Sequence, residues 1–354
     1  MIKNVNLFAY FWNFERCRFW TMENEEYLKE QIITYLGNKR SLLDFINVAL
    51  KIVKKELKKE KISTFDVFSG SGIVSRYLKQ HSTIIYSNDL ENYAKTLNMC
   101  YLTNISEINK NDLEKWYRYL LDNLTDDKLI TNGFISELYS PKDDNNILAG
   151  ERVFYTSRNA KYIDTARQLI ENIPSPYNTL FLGPLLYEAS TKNNTSGVFK
   201  GFYKNSKTNC GQFGGNGKNA LKRILANIEI KKPVLSNYEC EVHVLQGDSN
   251  EICKDIPIVD IAYVDPPYNQ HPYSSNYFML NLINDYIEPK DISKISGIPV
   301  TWNKSKYNNK QDAIVELEQL CINLNARYVL MRGGRFIGPK NRLITRSASL
   351  FAIV

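Results

Sequence analysis

Two consecutive prolines at the end of an apolar run restrict this chain more than any other feature. In IAYVDPPYN (Ile261 to Asn269) a strand expected over Ile258 to Val264 runs straight into Asp265, Pro266, Pro267 and Tyr268. Proline fixes its own backbone and pushes the preceding residue into an extended shape, so the strand must stop and Asp265 is held rigidly. Further strands are expected at Ser63 to Phe68, Thr83 to Ser87, Glu241 to Gln246 and Arg327 to Met331. Helical spacing is found before the first strand at Leu42 to Lys58 and between strands at Ile73 to Lys79, Phe278 to Tyr286 and Gln311 to Leu324, and a short polar helix is expected at Glu23 to Gln31. Strands alternating with helices imply parallel βαβ units, an α/β fold and a doubly wound sheet. Ligands of such sheets lie beyond the carboxyl ends of the strands, where Asp265 stands.

Two other motifs fall at the same edge. The turn DVFSGSG (Asp66 to Gly72) follows a strand and opens a helix, which lets the backbone at Phe68, Gly70 and Gly72 approach a nucleotide-like ligand. A plain tight turn would use the same glycines, and a dinucleotide fingerprint would want a third glycine where Ser75 stands. Asp89, after the second strand, is within the usual reach of ribose hydroxyls, although an acid there can also cap the next helix. At the fourth motif, Asp265 and the carbonyl of Pro266 offer two fixed acceptors. Such a pair suits an amino group on an aromatic ring, whose delocalised lone pair becomes nucleophilic when hydrogen bonds localise it. Tyr268 adds an aromatic face for a base taken out of its stack. His271, alone in the following loop NQHPYSSNY, reads as a hydrogen-bonding residue and is not counted as catalytic.

The order YLGNKR (Tyr35 to Arg40), FSGSG, SNDLE and DPPY resembles the Dam-like, or D12, class of adenine-N6 DNA methyltransferases of restriction-modification systems. The resemblance covers roughly Tyr35 to Met331. It implies a Rossmann-like S-adenosylmethionine-dependent methyltransferase core, with an inserted, mainly helical target-recognition domain. It also implies cofactor contacts at Tyr35, Lys39, Phe68, Gly70, Gly72, Asp89 and Asp265, and a catalytic set of Asp265, Pro266, Pro267 and Tyr268. The implied partners are double-stranded DNA with a flipped adenine and, functionally, a cognate restriction endonuclease. Ribosomal RNA base methyltransferases share DPPY, but the insertion and YLGNKR favour DNA. Protein-glutamine methylation would usually want Asn at position 265. A catalytically weak DNA-binding remnant is the reading from another class.

Residues 31–90 and 239–331 make up the expected core and residues 91–238 the insertion. Within the insertion, Ser190 to Lys232 holds nine basic residues against one acid, Glu229, and GVFKGFYKNSK interleaves Lys200, Lys204 and Lys207 with Phe199, Phe202 and Tyr203. That mixture suits phosphate contacts plus stacking or wedging against bases, so Lys200, Phe202, Tyr203, Lys204 and Lys207 are the candidate DNA contacts. A half-buried hairpin with a lysine-coated outer side would read the same way. The whole chain is only mildly basic, with 45 Lys and Arg against 38 Asp and Glu. Six scattered cysteines without a Cys-x-x-Cys pair, and three histidines, suggest neither zinc nor disulfides, and the expected compartment is the cytoplasm. No apolar run suits a membrane span, and residues 1–30 read as an N-terminal extension without signal-peptide character. The basic tail, 332–354, lacks the turn and strands expected of relatives, which would leave an unpaired sheet edge and weak activity.

Overall fold

A computed structural model describes residues 23–37, 39–218, 220–267 and 272–331. Five strands, β1 (Ile62–Asp66), β2 (Ser82–Asp89), β3 (Glu241–Gln246), β4 (Val259–Val264) and β5 (Ala326–Met331), form one parallel sheet in the order β3-β2-β1-β4-β5. The strand order reverses at β1, so the crevice of a doubly wound sheet opens between the carboxyl ends of β1 and β4. Alternation along the strands sends side chains to two separate cores. Phe65, Ala262, Val264 and Val329 face one side, and Ile261, Tyr263 and Leu330 the other.

The larger core is covered by α1 (Leu43–Leu57), α2 (Ile73–Lys79) and α3 (Asn92–Leu102). In α1 the buried residues Leu43, Ile46, Ala49, Leu50 and Val53 lie on one stripe, which is why its boundaries could be read from spacing. Outside α3 pack α4 (Lys110–Asn123), α5 (Phe134–Tyr139), α6 (Ser157–Glu171) and α7 (Tyr177–Thr191), followed by the single turn α8 (Leu221–Ile224). The smaller core lies under α9 (Ser249–Asp255) and α12 (Asp312–Asn323), while α10 (Tyr273–Asn276) and α11 (Phe278–Asp285) follow the double proline and return to the larger core. The segment expected to be inserted therefore opens with α3, a helix that packs on β2 and β3 and belongs to the sheet's own cover.

Two expectations need correction. Residues 23–31 form turns and not a helix, because the fully buried Arg76 draws their carbonyls outward: its guanidinium donates to the carbonyls of Tyr27 at 2.9 Å and Gln31 at 2.7 Å. Tyr27 and Leu28 are buried rather than on a polar face. The second correction is α7, a helix where none was expected. Leu180, Phe181, Leu185, Leu186 and Ala189 are all buried, and an apolar helix covered on every side shows no amphipathic stripe. Its internal Gly183-Pro184 also reads as a turn. No helix among the described residues is long and apolar enough to cross a membrane. The N-terminal extension before residue 23 and the basic tail lie outside the described residues.

Candidate active site

At the end of β1 the chain turns through Gly70 and Gly72 with φ of +52° and +77°. A side chain at Gly70 would begin 3.0 Å from the Tyr35 ring, and one at Gly72 would begin 2.9 Å from Asn98 Oδ1. Backbone angle and crowding thus both require glycine here. The Gly70 N–H donates to Asp89 Oδ2 at 2.7 Å, and the other oxygen of Asp89 accepts from the Glu91 N–H at 3.0 Å. Asn98 on α3 braces the turn by donating to Ser69 Oγ at 2.9 Å. Partial burial of Asp89 pushes its carboxyl up against the pull of these backbone N–H groups.

Opposite the turn, Tyr35 joins Tyr273 and Tyr277 in a cluster of near-parallel rings, with centroids 5.0 and 4.8 Å from its own. The cluster is pinned at its polar ends. Leu36 N–H donates to Tyr277 Oη at 2.7 Å, and Tyr273 Oη donates to the Leu36 carbonyl at 3.3 Å. Burial pushes the Tyr35 phenol far above its ordinary value.

Asp265 follows β4 at the floor of the cleft. Its Oδ2 lies 2.5 Å from Lys39 Nζ, with side chains only 6% and 15% exposed, and Lys39 also donates to the Gly37 carbonyl at 2.7 Å. Lys39 and Asp265, read separately from the sequence, are therefore one ion pair. Asp265 Oδ1 is buried without a hydrogen-bond partner among the described residues. Behind it, Asp66 is pushed up to about 7 by burial, with Asp265 and Asp89 adding repulsion against the Ser75 hydrogen bond of 2.6 Å. Phe68 meets the ring of Tyr307 edge-on at 5.2 Å, and Tyr307 is fixed by donating to Asn250 Oδ1 at 2.6 Å.

The cleft so formed encloses about 970 Å³, including its part open to solvent. It brings together Tyr35, Lys39, Phe68, Gly70, Asp89, Asp265, Pro266 and Pro267, all but Gly72 of the described residues expected at the cofactor or catalytic positions. Gly72 sets the turn from behind. Tyr268 and His271 lie outside the described residues. The sequence did not single out Asn98, Glu91 or Tyr307, which brace or line the site from neighbouring elements. The one visible signal was for Glu91, which closes the motif SNDLE. Among the described residues no cluster of His, Cys, Asp and Glu could hold a metal ion.

The candidate DNA segment is a hairpin, with Lys204 bridged to Gly211. Phe202 packs edge-on against Phe154 at 5.2 Å, with Lys204 Nζ 5.3 Å from the centre of its ring, while Lys207 is exposed at the tip. Tyr203 lies against Gly215, and Lys200 is half-buried, which lowers its ammonium. The fully buried Phe199 donates its N–H to the Asn276 carbonyl at 2.7 Å, tying the hairpin to α10 beside the cleft. The charge of the surrounding stretch is partly spoken for: Lys192 and Lys231 pair with buried Glu188, Lys232 pairs with Glu114, and Arg223 holds the carbonyls of Thr191, Asn193 and Thr195. Among the described residues Lys200, Lys204 and Lys207 are in no salt bridge of this kind.

Residues 35–321 match the family model of the D12 class N6 adenine-specific DNA methyltransferases. The chain is 30% identical over 305 residues to the type II methyltransferase M.CviAII of Paramecium bursaria Chlorella virus 1, an alignment covering 83% of this chain and 81% of that one. It is 29% identical over 308 residues to the type II methyltransferase M.NlaIII of Neisseria lactamica, covering 84% and 82%. It is 29% identical over 323 residues to the modification methylase LlaI of Lactococcus lactis subsp. lactis, covering 88% of this chain and 47% of the longer relative. With the motifs standing together at the switch point of a parallel sheet, and a family match over most of its length, the chain belongs to the D12 class of N6 adenine-specific DNA methyltransferases.

Proposed function

We propose that the cleft binds S-adenosylmethionine against the glycine turn and receives a flipped adenine of double-stranded DNA at Asp265. The single observation that carries this reading is the state of Asp265. One carboxylate oxygen is held by Lys39, and the other is buried without a hydrogen-bond partner among the described residues. A buried oxygen without a partner is costly, and the exocyclic amino group of adenine would satisfy it. Pro266 and Pro267 fix the backbone so that the acceptor keeps its aim, and Tyr268 would offer its ring to the base.

The cofactor fits the residues present. Gly70 lines the cleft with its backbone held by Asp89, Asp89 lies at the reach of ribose hydroxyls, and Tyr35 and Phe68 supply aromatic walls. When bound, S-adenosylmethionine would supply an electrophilic methyl group on its sulfonium. The chain's own contribution is to hold the amino nitrogen in line and to exclude water. Lys200, Phe202, Tyr203, Lys204 and Lys207 form the DNA-facing hairpin in this reading, the part of residues 91–238 that follows α3 carries target recognition, and the host's cytoplasmic DNA is protected from a cognate restriction endonuclease.

Asp265→Ala tests the reading. Methyl transfer to DNA is expected to fall by about 10³-fold or more, while DNA affinity changes little, because the residue acts on the transition state and not on phosphates. Near-normal single-turnover rates in that variant would overturn it.

A further inference from the structure

Glu91 is 3% exposed and lines the cleft two residues beyond Asp89. Its N–H donates to Asp89, so the end of β2 sets its place. Its carboxyl reaches two other segments: Oε2 accepts from Asn281 Nδ2 of α11 at 2.6 Å, and Oε1 is in short contact with Ser274 Oγ of α10. Ser274 Oγ also lies 2.8 Å from the carbonyl oxygen of Asn303. A hydroxyl carries one hydrogen and a carbonyl only accepts. With Glu91 ionised, Ser274 would have to choose between two acceptors and leave one oxygen facing another. With Glu91 protonated, Glu91 donates to Ser274 and Ser274 donates to Asn303, so each of the two contacts of Ser274 Oγ carries a hydrogen.

We propose that Glu91 is a positioning residue whose protonated carboxyl joins the end of β2, α10 with α11, and the segment at Asn303 into one closed rim around the cofactor. The inference rests on the reading of the cleft as the S-adenosylmethionine site. The groups facing Glu91 agree with a held proton. Asp89 from β2 is a carboxylate and Tyr93 from α3 a neutral phenol, while α10, α11 and residue 303 offer the uncharged Ser274, Asn281 and Asn303. Burial pushes the carboxyl up to about 7, against the Ser274, Asn281 and Asn303 side-chain hydrogen bonds and with help from Asp89. The rim is therefore intact below that value and loosens as pH rises through it.

Glutamine copies the protonated state, because its amide nitrogen can donate to Ser274 while its oxygen accepts from Asn281. Calorimetric titration of the full chain with S-adenosylmethionine at pH 6 and pH 8.5 distinguishes the cases. Wild type is expected to lose several-fold in affinity at the higher pH, Glu91→Gln to keep the pH 6 affinity at both, and Glu91→Ala to bind about tenfold more weakly at both. Thermal melts of the same samples report folding, and the Gln variant carries the test even where Ala does not fold. A Gln variant that loses affinity with pH as steeply as wild type, or an Ala variant that binds as wild type does, would overturn the role of Glu91. Wild type that binds no S-adenosylmethionine at either pH would instead overturn the cofactor reading itself.

Discussion

Lys39 and Asp265 stand far apart in the chain and 2.5 Å apart in the fold. Their pairing changes what a substitution at Lys39 should do. Removing the ammonium leaves a carboxylate that is 6% exposed without its charge partner. Loss of one member of a buried pair costs about 3–5 kcal/mol, and the opening of the cleft to solvent lowers that to about 1–3 kcal/mol. Lys39→Ala is thus expected to lower both the denaturation midpoint and the methyl-transfer rate, read by urea titration and single turnover; unchanged stability would show that the pair is dispensable. Asp66 makes the residue scale sensitive to pH. Its carboxyl is pushed up to about 7, whereas an unfolded chain ionises near 4. The folded state binds the extra proton between those values, so this contribution is complete in acid and is lost as pH rises through about 7. Urea midpoints should fall from pH 6 to pH 8.5, and Asp66→Asn should narrow the drop; an equal drop in the variant would count against Asp66.

Elements were legible where one pattern governed them. The helix Ile73–Lys79 and the strand Glu241–Gln246 have the bounds that spacing and turn residues indicate. The ends of β1 and β4 were legible because glycine and proline act locally, through φ, whatever surrounds them. What stayed hidden was set by distant partners. Arg76 converts residues 23–31 from helix to turns, Asn98 and Glu91 support the site from α3's end of the sheet, and α7 is apolar on every side. The close approach of α7 to α3 gives a test. A β-carbon at Gly183 would sit 2.6 Å from Cys100 Sγ and 2.8 Å from its Cβ. Alanine raises helix propensity by about 1 kcal/mol, but overpacking costs about 1–3 kcal/mol, and a short cysteine has nowhere to swing. Gly183→Ala should therefore destabilise in urea titrations; a gain in stability would mean that the two helices can separate freely.

At the scale of the whole molecule, net charge was a blunter guide than placement. Of the basic residues between Ser190 and Lys232, Lys192, Lys231, Lys232 and Arg223 serve internal pairs, which composition alone does not distinguish from free cations. The hairpin lysines remain, with Lys218 and Lys222. Replacing Lys200, Lys204 and Lys207 with Ala should weaken binding to every DNA sequence alike and lower the slope of log affinity against log salt by up to about 2.7. An unchanged slope would mean that the hairpin faces away from DNA.

The sheet order also sets a sequence of events in time. β1 joins β2 through a short crossover, with Ile62 beside Ser82, but it joins β4 only when Thr64 meets Ile261. The first pairing closes a small loop and the second a very large one, and parallel pairings across long separations form slowly. The glycine turn and Asp89 can therefore assemble early, while the Lys39–Asp265 pair waits for the last long-range closure. A refolding chain should recover its helices before it recovers affinity for its cofactor, so the competent cleft doubles as a marker that folding is complete.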